Sequence, residues 1–124
     1  MGKSLKPLHW IASSLNDLRD LPEDVQDTFG YALQRAQEGG RHGNAKSLKG
    51  FGGAGVLEIV DNHEGNTYRA VYTVKFVLAI YVLHVFQKKS KKGIATPASD
   101  LDLIRKRMNV AAGDYEDRYR SKEL

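Results

Sequence analysis

The sequence predicts an α+β domain: a small twisted antiparallel sheet with an N-terminal helix hairpin and a C-terminal helix. Three observations predict it. Val25, Phe29, Ala32, Leu33 and Ala36 recur at the spacing of one helix face. Residues 56–86 then change to short runs rich in β-branched and aromatic residues, separated by turn formers. Beyond them, Thr96-Pro97 opens a second helical pattern, with Leu101, Ile104 and Met108 on one face.

In chain order, Lys6 to Ala12 is a short apolar stretch that reads as a first strand. Ser13 or Ser14 can cap a short helix carrying Leu15 and Leu18. Pro22 suits the first turn of the next helix, where Glu23 and Asp24 sit favourably at the positive end of its dipole. Gly39-Gly40 end that helix, and the glycine-rich residues 39–55 read as a loop. Three strands follow, Val56–Val60, Tyr68–Phe76 and Ala79–Phe86, the first two joined by a hairpin turn through Asp61-Asn62-His63-Glu64-Gly65-Asn66. Alternation places Arg69, Val71 and Thr73 on one face. In the last strand it places Ile80, Val82, His84 and Phe86 together, opposite Tyr81, Leu83 and Val85. The helices are expected mainly on one face of the sheet, leaving the other partly open and lined with basic groups. One domain spans residues 1–124, with a core over about 6–112. The charged tail, 113–124, is either a helical extension or frayed.

Composition narrows the function. The chain has 124 residues and no cysteine, which removes disulfides, thiolate metal sites and cysteine nucleophiles. The longest apolar run, Phe76 to Leu83, falls far short of the ~20 residues that span a bilayer. Residues Met1 to Pro7 lack the apolar segment of a secretory signal, so a cytoplasmic protein is expected. The four histidines, His9, His42, His63 and His84, lack metal-ligand spacing, so no metal site is expected. Gly50-Phe51-Gly52-Gly53-Ala54-Gly55 matches G-x-G-x-x-G in letters. A strand rather than a helix follows it, so no dinucleotide cofactor is expected.

The formal charge of +4 is unevenly placed. Residues 17–27 hold Asp17, Asp20, Glu23, Asp24 and Asp27 against Arg19 alone. Between Glu64 and Asp100 there is no acid, only Arg69, Lys75, Lys88, Lys89, Lys91 and Lys92. A one-signed stretch of this kind either attracts a polyanion or is a solvated lysine loop. Arg69 sits in mid-strand, where a buried unpaired guanidinium is costly. It therefore either pairs with a carboxylate such as Glu58 or presents its planar fork to an anion such as phosphate. His84 precedes Gln87-Lys88-Lys89-Ser90-Lys91-Lys92, which puts a titratable group beside the cations.

Tyr68-Arg69-Ala70-Val71-Tyr72-Thr73-Val74, the run from Ile80 to Ser90 and Gly93-Ile94-Ala95-Thr96-Pro97 together resemble the phage-derived HigB-type branch of the RelE/ParE toxin superfamily. Leu48-Lys49-Gly50-Phe51-Gly52 is similar to the loop that precedes the sheet in many members. The resemblance covers roughly residues 8–115 and implies the toxin of a type II toxin–antitoxin pair. It implies a metal-independent, ribosome-associated mRNA endoribonuclease without a small-molecule cofactor, partnered by a helix-turn-helix antitoxin. The alternatives are a ParE-like poison of DNA gyrase and a phage-derived nucleic-acid-binding module without catalysis. By family position, Arg69, His84, Lys88 and Lys89 are the candidate catalytic residues. Lys46, Lys49, Gln87, Lys91 and Lys92 are the candidate contacts to RNA phosphate. The segment Val85–Lys92 lacks the tyrosine that many members place near the C-terminus, and the role does not carry over to Tyr115 or Tyr119.

Overall fold

The computed structural model describes residues 4–53, 55–88 and 96–123, the last three as helix backbone. The elements are β1 (Leu8–Trp10), α1 (Ser14–Arg19), α2 (Glu23–Gln37), β2 (Lys46–Ser47), β3 (Val56–His63), β4 (Asn66–Thr73), β5 (Ile80–Lys88) and α3 (Ala98–Glu123). Five strands form one sheet in the order β1-β5-β4-β3-β2. β1 runs parallel to β5, and the remaining neighbours are antiparallel. The chain leaves β1 at one edge and returns as β2 at the other. The α1–α2 hairpin is the crossover that makes this possible, and it covers one face on the way.

The predicted helix stripe is buried: Val25, Phe29, Ala32, Leu33 and Ala36 all face the sheet. They meet Leu57, Ile59, Ala70, Tyr72, Ile80, Val82 and Val85 in one apolar cluster. Pro22 lies one position before its expected place, at the N-cap, with its carbonyl accepting from the amides of Val25 and Gln26. Ser13 occupies the N-cap of α1, yet its hydroxyl donates to the Asp17 carboxylate at 2.7 Å instead of receiving an amide. Gly39, at φ +88°, closes α2 in the left-handed conformation that glycine adopts without strain.

Four expectations need correction. The loop 39–55 contains the edge strand β2, too short to show as an alternating pattern. The β3–β4 strands continue through the expected turn to His63 and Asn66. Only Glu64 and Gly65 turn, both at positive φ (50° and 82°), as a two-residue hairpin with right-handed strand twist requires. Thirdly, the register between β4 and β5 shifts between Val71 and Tyr72: Val71 faces His84 while Tyr72 faces Val82. Leu83 is the extra residue of a β-bulge. Beyond it the alternation of β5 inverts, so His84 and Phe86 join Tyr81 and Leu83 on the face of Arg69, and Val85 joins Ile80 and Val82 on the other. Fourthly, the second face is not open. α3 covers it, with Ile104, Ala111 and Tyr115 buried against Val56, Val71, Tyr81 and Leu83. The tail is helical to Glu123. Among the described residues, no helix is long and apolar enough to cross a membrane.

Candidate nucleic-acid interface

Glu58 on β3, Arg69 on β4 and Lys88 on β5 project from the α3 side of the sheet. Arg69 stands opposite Val60 and Phe86, and Lys88 opposite Thr67, so the three side chains converge diagonally across three strands. The Arg69 guanidinium donates to Glu58 Oε2 at 2.8 Å. The Thr96 hydroxyl, just ahead of α3, reaches the same oxygen at 3.3 Å. All four residues are buried, Arg69 to 3% exposure and Lys88 to 8%. Burial lowers the Lys88 pKa, the Arg69 guanidinium lowers it further, and the Glu58 carboxylate opposes both. Arg69 donates to the Glu58 carboxylate, and Lys88 feels the charge of both groups. Two cationic side chains are thus held beside one carboxylate in a buried place.

Lys46 pairs with Glu58 across the β2–β3 register, which puts the exposed Lys46 side chain on the same face as this centre. Lys49 is exposed in the loop beyond β2. Arg105 of α3 holds that loop, donating to the Gly50 carbonyl at 3.4 Å and lying 5.2 Å from the Phe51 ring centroid. A rim of exposed cations therefore lies on the α3 side of the sheet. Gln87 pairs with Tyr68 and belongs to the opposite side, where its amide donates to Asn66 at 3.1 Å. Lys89, Lys91 and Lys92 lie outside the described residues.

His84 shares the Arg69 face because of the bulge, and its ring is fully engaged there. It stacks on Phe86 with centroids 4.4 Å apart, and Nε2 lies 2.8 Å from Asp100 Oδ1. Nδ1 lies 3.4 Å from an Arg107 N–H. Because arginine only donates, Nδ1 accepts and Nε2 carries the proton toward Asp100. Burial lowers the His84 pKa, and the Asp100 hydrogen bond only partly opposes it. Arg107 also donates to the Leu83 carbonyl at 3.0 Å, so this group fastens α3 to the bulge. The four-residue step from His84 to Lys88 corresponds to about 13 Å along a strand.

Thr96, Asp100 and Arg107 were not legible as members of these groups. Thr96 reads as a helix cap in sequence, Asp100 only as the acid that ends the acid-free stretch, and Arg107 carries no signal of its own. Only the inverted β5 pattern would have pointed to them. The glycine run Gly50 to Gly55 precedes the strand β3, and none of its described residues opens a helix. Among the described residues, no group of three His, Cys, Asp or Glu side chains is arranged to hold a metal ion.

A family model described as "Phage derived protein Gp49-like (DUF891)" matches residues 16–109. Among solved structures, the E. coli toxin RelE, as a mutant in the free state, is similar with a TM-score of 0.52 and 22% identity. That likeness covers 70% of this chain and 87% of the other. No curated protein matches the chain.

Proposed function

Because the chain belongs to the phage-derived Gp49-like family and has a RelE-like fold, we propose that it is the toxin of a type II toxin–antitoxin pair that cuts mRNA on the ribosome. The observation that carries this reading is the buried convergence of Arg69 and Lys88 beside Glu58 on the α3 face, with Arg69 paired to Glu58. A phosphodiester is an anion that these two cations can take together. Lys46 and Lys49 on the exposed rim raise the encounter rate with RNA.

In the proposed reaction a ribose 2′-oxygen attacks the adjacent phosphorus and gives its proton to water, and the bond to the 5′-oxygen breaks. The products are a 2′,3′-cyclic phosphate and a 5′-hydroxyl. Arg69 stabilises the charge that develops on the phosphoryl oxygens, and Glu58 fixes the plane of its guanidinium. Lys88 donates the proton that the leaving 5′-oxygen takes up, a role that a lowered ammonium pKa favours. Arg69 and Lys88 are buried in the free chain, so a phosphate reaches them as the segment at Thr96 moves aside. His84 holds α3 and the bulge in register and thereby positions the end of β5. Lys89, Lys91 and Lys92 extend the RNA contact, and Gln87, on the opposite side, is left out of it. The protein acts in the cytoplasm without a metal or small-molecule cofactor, and a helix-turn-helix antitoxin neutralises it.

The close engagement of Arg69 by Glu58 favours, as a second reading, a module that binds nucleic acid without cutting it. Expression of the wild type and Lys88→Met in cells, with mapping of transcript ends, separates the possibilities. The proposal expects growth arrest with new ends inside translated frames for the wild type, and neither for Lys88→Met. Growth arrest with intact transcripts and a DNA-damage response would instead select the gyrase poison. No arrest, with RNA binding retained, would select the binding module.

A further inference from the structure

On the face of the sheet opposite Arg69 and Lys88, the end of α2 and the glycine-rich loop enclose a groove of about 430 Å³. Its wall is apolar where Ala36, Leu57 and Val74 line it, and its polar side carries Lys6, Arg41 and Ser47. Acidic side chains are absent from its described lining. Glycines 39, 40, 53 and 55 complete it, and the space beside Gly39 and Gly53 is empty of neighbours within 4 Å. The backbone is thus open to a ligand there.

The Lys6 backbone and the Arg41 guanidinium are held in place. The Lys6 amide donates to the Gln37 carbonyl at 2.9 Å, and the Gln37 side chain returns a bond to the Lys6 carbonyl at 2.8 Å. Arg41 donates from Nε and one terminal nitrogen to the Ala45 carbonyl, at 3.2 and 3.1 Å. The C-terminal end of a helix normally repels an anion through its open carbonyls. Here the last four, on Gln34, Arg35, Ala36 and Gln37, accept from Glu38, Gly40, Gly39 and Lys6 in turn. Tyr72 pairs with Leu57 of the groove wall and is fully buried. Among the described residues its hydroxyl has no hydrogen-bond partner. Burial raises its pKa, and the Arg41 charge opposes that rise.

We propose that this groove is a nucleotide site, taking a phosphate on Lys6 and Arg41 and a base against Leu57 and Val74. The volume suits one nucleotide, and the pairing of cations with an aliphatic wall suits a ligand with one anionic and one flat apolar part. The nucleotide is either a free mononucleotide or one unit of a bound strand. The inference goes beyond the cleavage reading, because the groove and the Arg69 centre lie on opposite faces.

NMR titration of the full chain with AMP, with inorganic phosphate and with a non-cleavable all-deoxy oligonucleotide tests it. AMP or the oligonucleotide is expected to shift the backbone amides of Ser47, Gly53 and Val74. A shift with AMP identifies a mononucleotide site, and a shift with the oligonucleotide alone identifies a strand site. Arg41→Gln weakens binding about tenfold, as loss of a charge-assisted contact does. Ser47→Glu abolishes it while thermal unfolding stays unchanged, since Ser47 is exposed on a two-residue edge strand. No shift with either nucleotide, equal binding of inorganic phosphate and AMP, or undiminished binding by Ser47→Glu would overturn the proposal. The wild type distinguishes the two readings: cleavage without groove shifts refutes the groove alone, and groove shifts without cleavage refute the nuclease alone.

Discussion

The Arg69 guanidinium lies 2.8 Å from the Glu58 carboxylate, with the two side chains only 4% and 8% exposed. Removing one partner leaves the other charged and out of water, which destabilises by about 3–5 kcal/mol. Glu58→Leu and Arg69→Met alone are therefore expected to lower the midpoint of urea unfolding by that amount. The double variant is expected to recover part of it, since the buried Lys88 ammonium also loses the Glu58 charge, and a coupling energy from the four proteins checks the pair directly.

His84 gives the fold a pH dependence of defined sign. Its folded pKa lies below its ordinary value of 6.5, chiefly through burial, and the His9 pKa is lowered for the same first reason. The unfolded chain therefore binds more protons than the folded one between the folded pKa values and 6.5. Stability is full above that range and declines as the pH falls into it. Unfolding free energies measured from about pH 7.5 to about pH 5.5 should decrease. His84→Gln and His9→Gln should each flatten part of the slope.

A second pH window is more acidic. Tyr81 donates to Asp114 at 2.5 Å, and Arg118 donates to the same oxygen at 2.8 Å. Burial acts to raise the Asp114 pKa, but these two hydrogen bonds outweigh it and the value is lowered. The resulting stabilisation is present at neutral pH and is lost as the pH falls below about 4. Tyr81→Phe is expected to cost about 1.5 kcal/mol at pH 7 and to shrink the acid-side loss. Thermal unfolding of the two proteins at pH 7 and pH 3 checks both statements.

The covered second face makes its own prediction. Ile104 of α3 is fully buried among Val71, Tyr81 and Leu83. Ile104→Ala is expected to cost about 2–5 kcal/mol, the range for a truncated core aliphatic. An open face would instead leave α3 loosely attached and the change near neutral. Chemical denaturation, with tryptophan fluorescence of Trp10 as the signal, measures it.

The helix stripe from Val25 to Ala36 and the antiparallel strands were legible in sequence because period 3.6 and period 2 are each written over many residues. The possible Arg69–Glu58 pair was legible too, from the cost of burying a lone guanidinium in mid-strand. The bulge at Leu83 was not, since one extra residue leaves no mark on composition yet inverts every side chain after it. That inversion hid the meeting of His84 with Asp100 and Arg107. The cover over the second face was hidden by α3 itself, whose apolar positions are diluted by Lys106, Arg107 and Asn109. Lys46 on the Arg69 face depended on β2, two residues that carry no periodicity of their own.

The proposed centre is tested most directly by incubating purified wild type and Lys88→Met with translating ribosomes and sequencing the RNA ends. The account predicts wild-type fragments ending in 2′,3′-cyclic phosphate, reduced at least about a hundredfold by Lys88→Met, as loss of a positioned proton donor does. Intact RNA with the wild type, or equal cleavage by Lys88→Met, would contradict it.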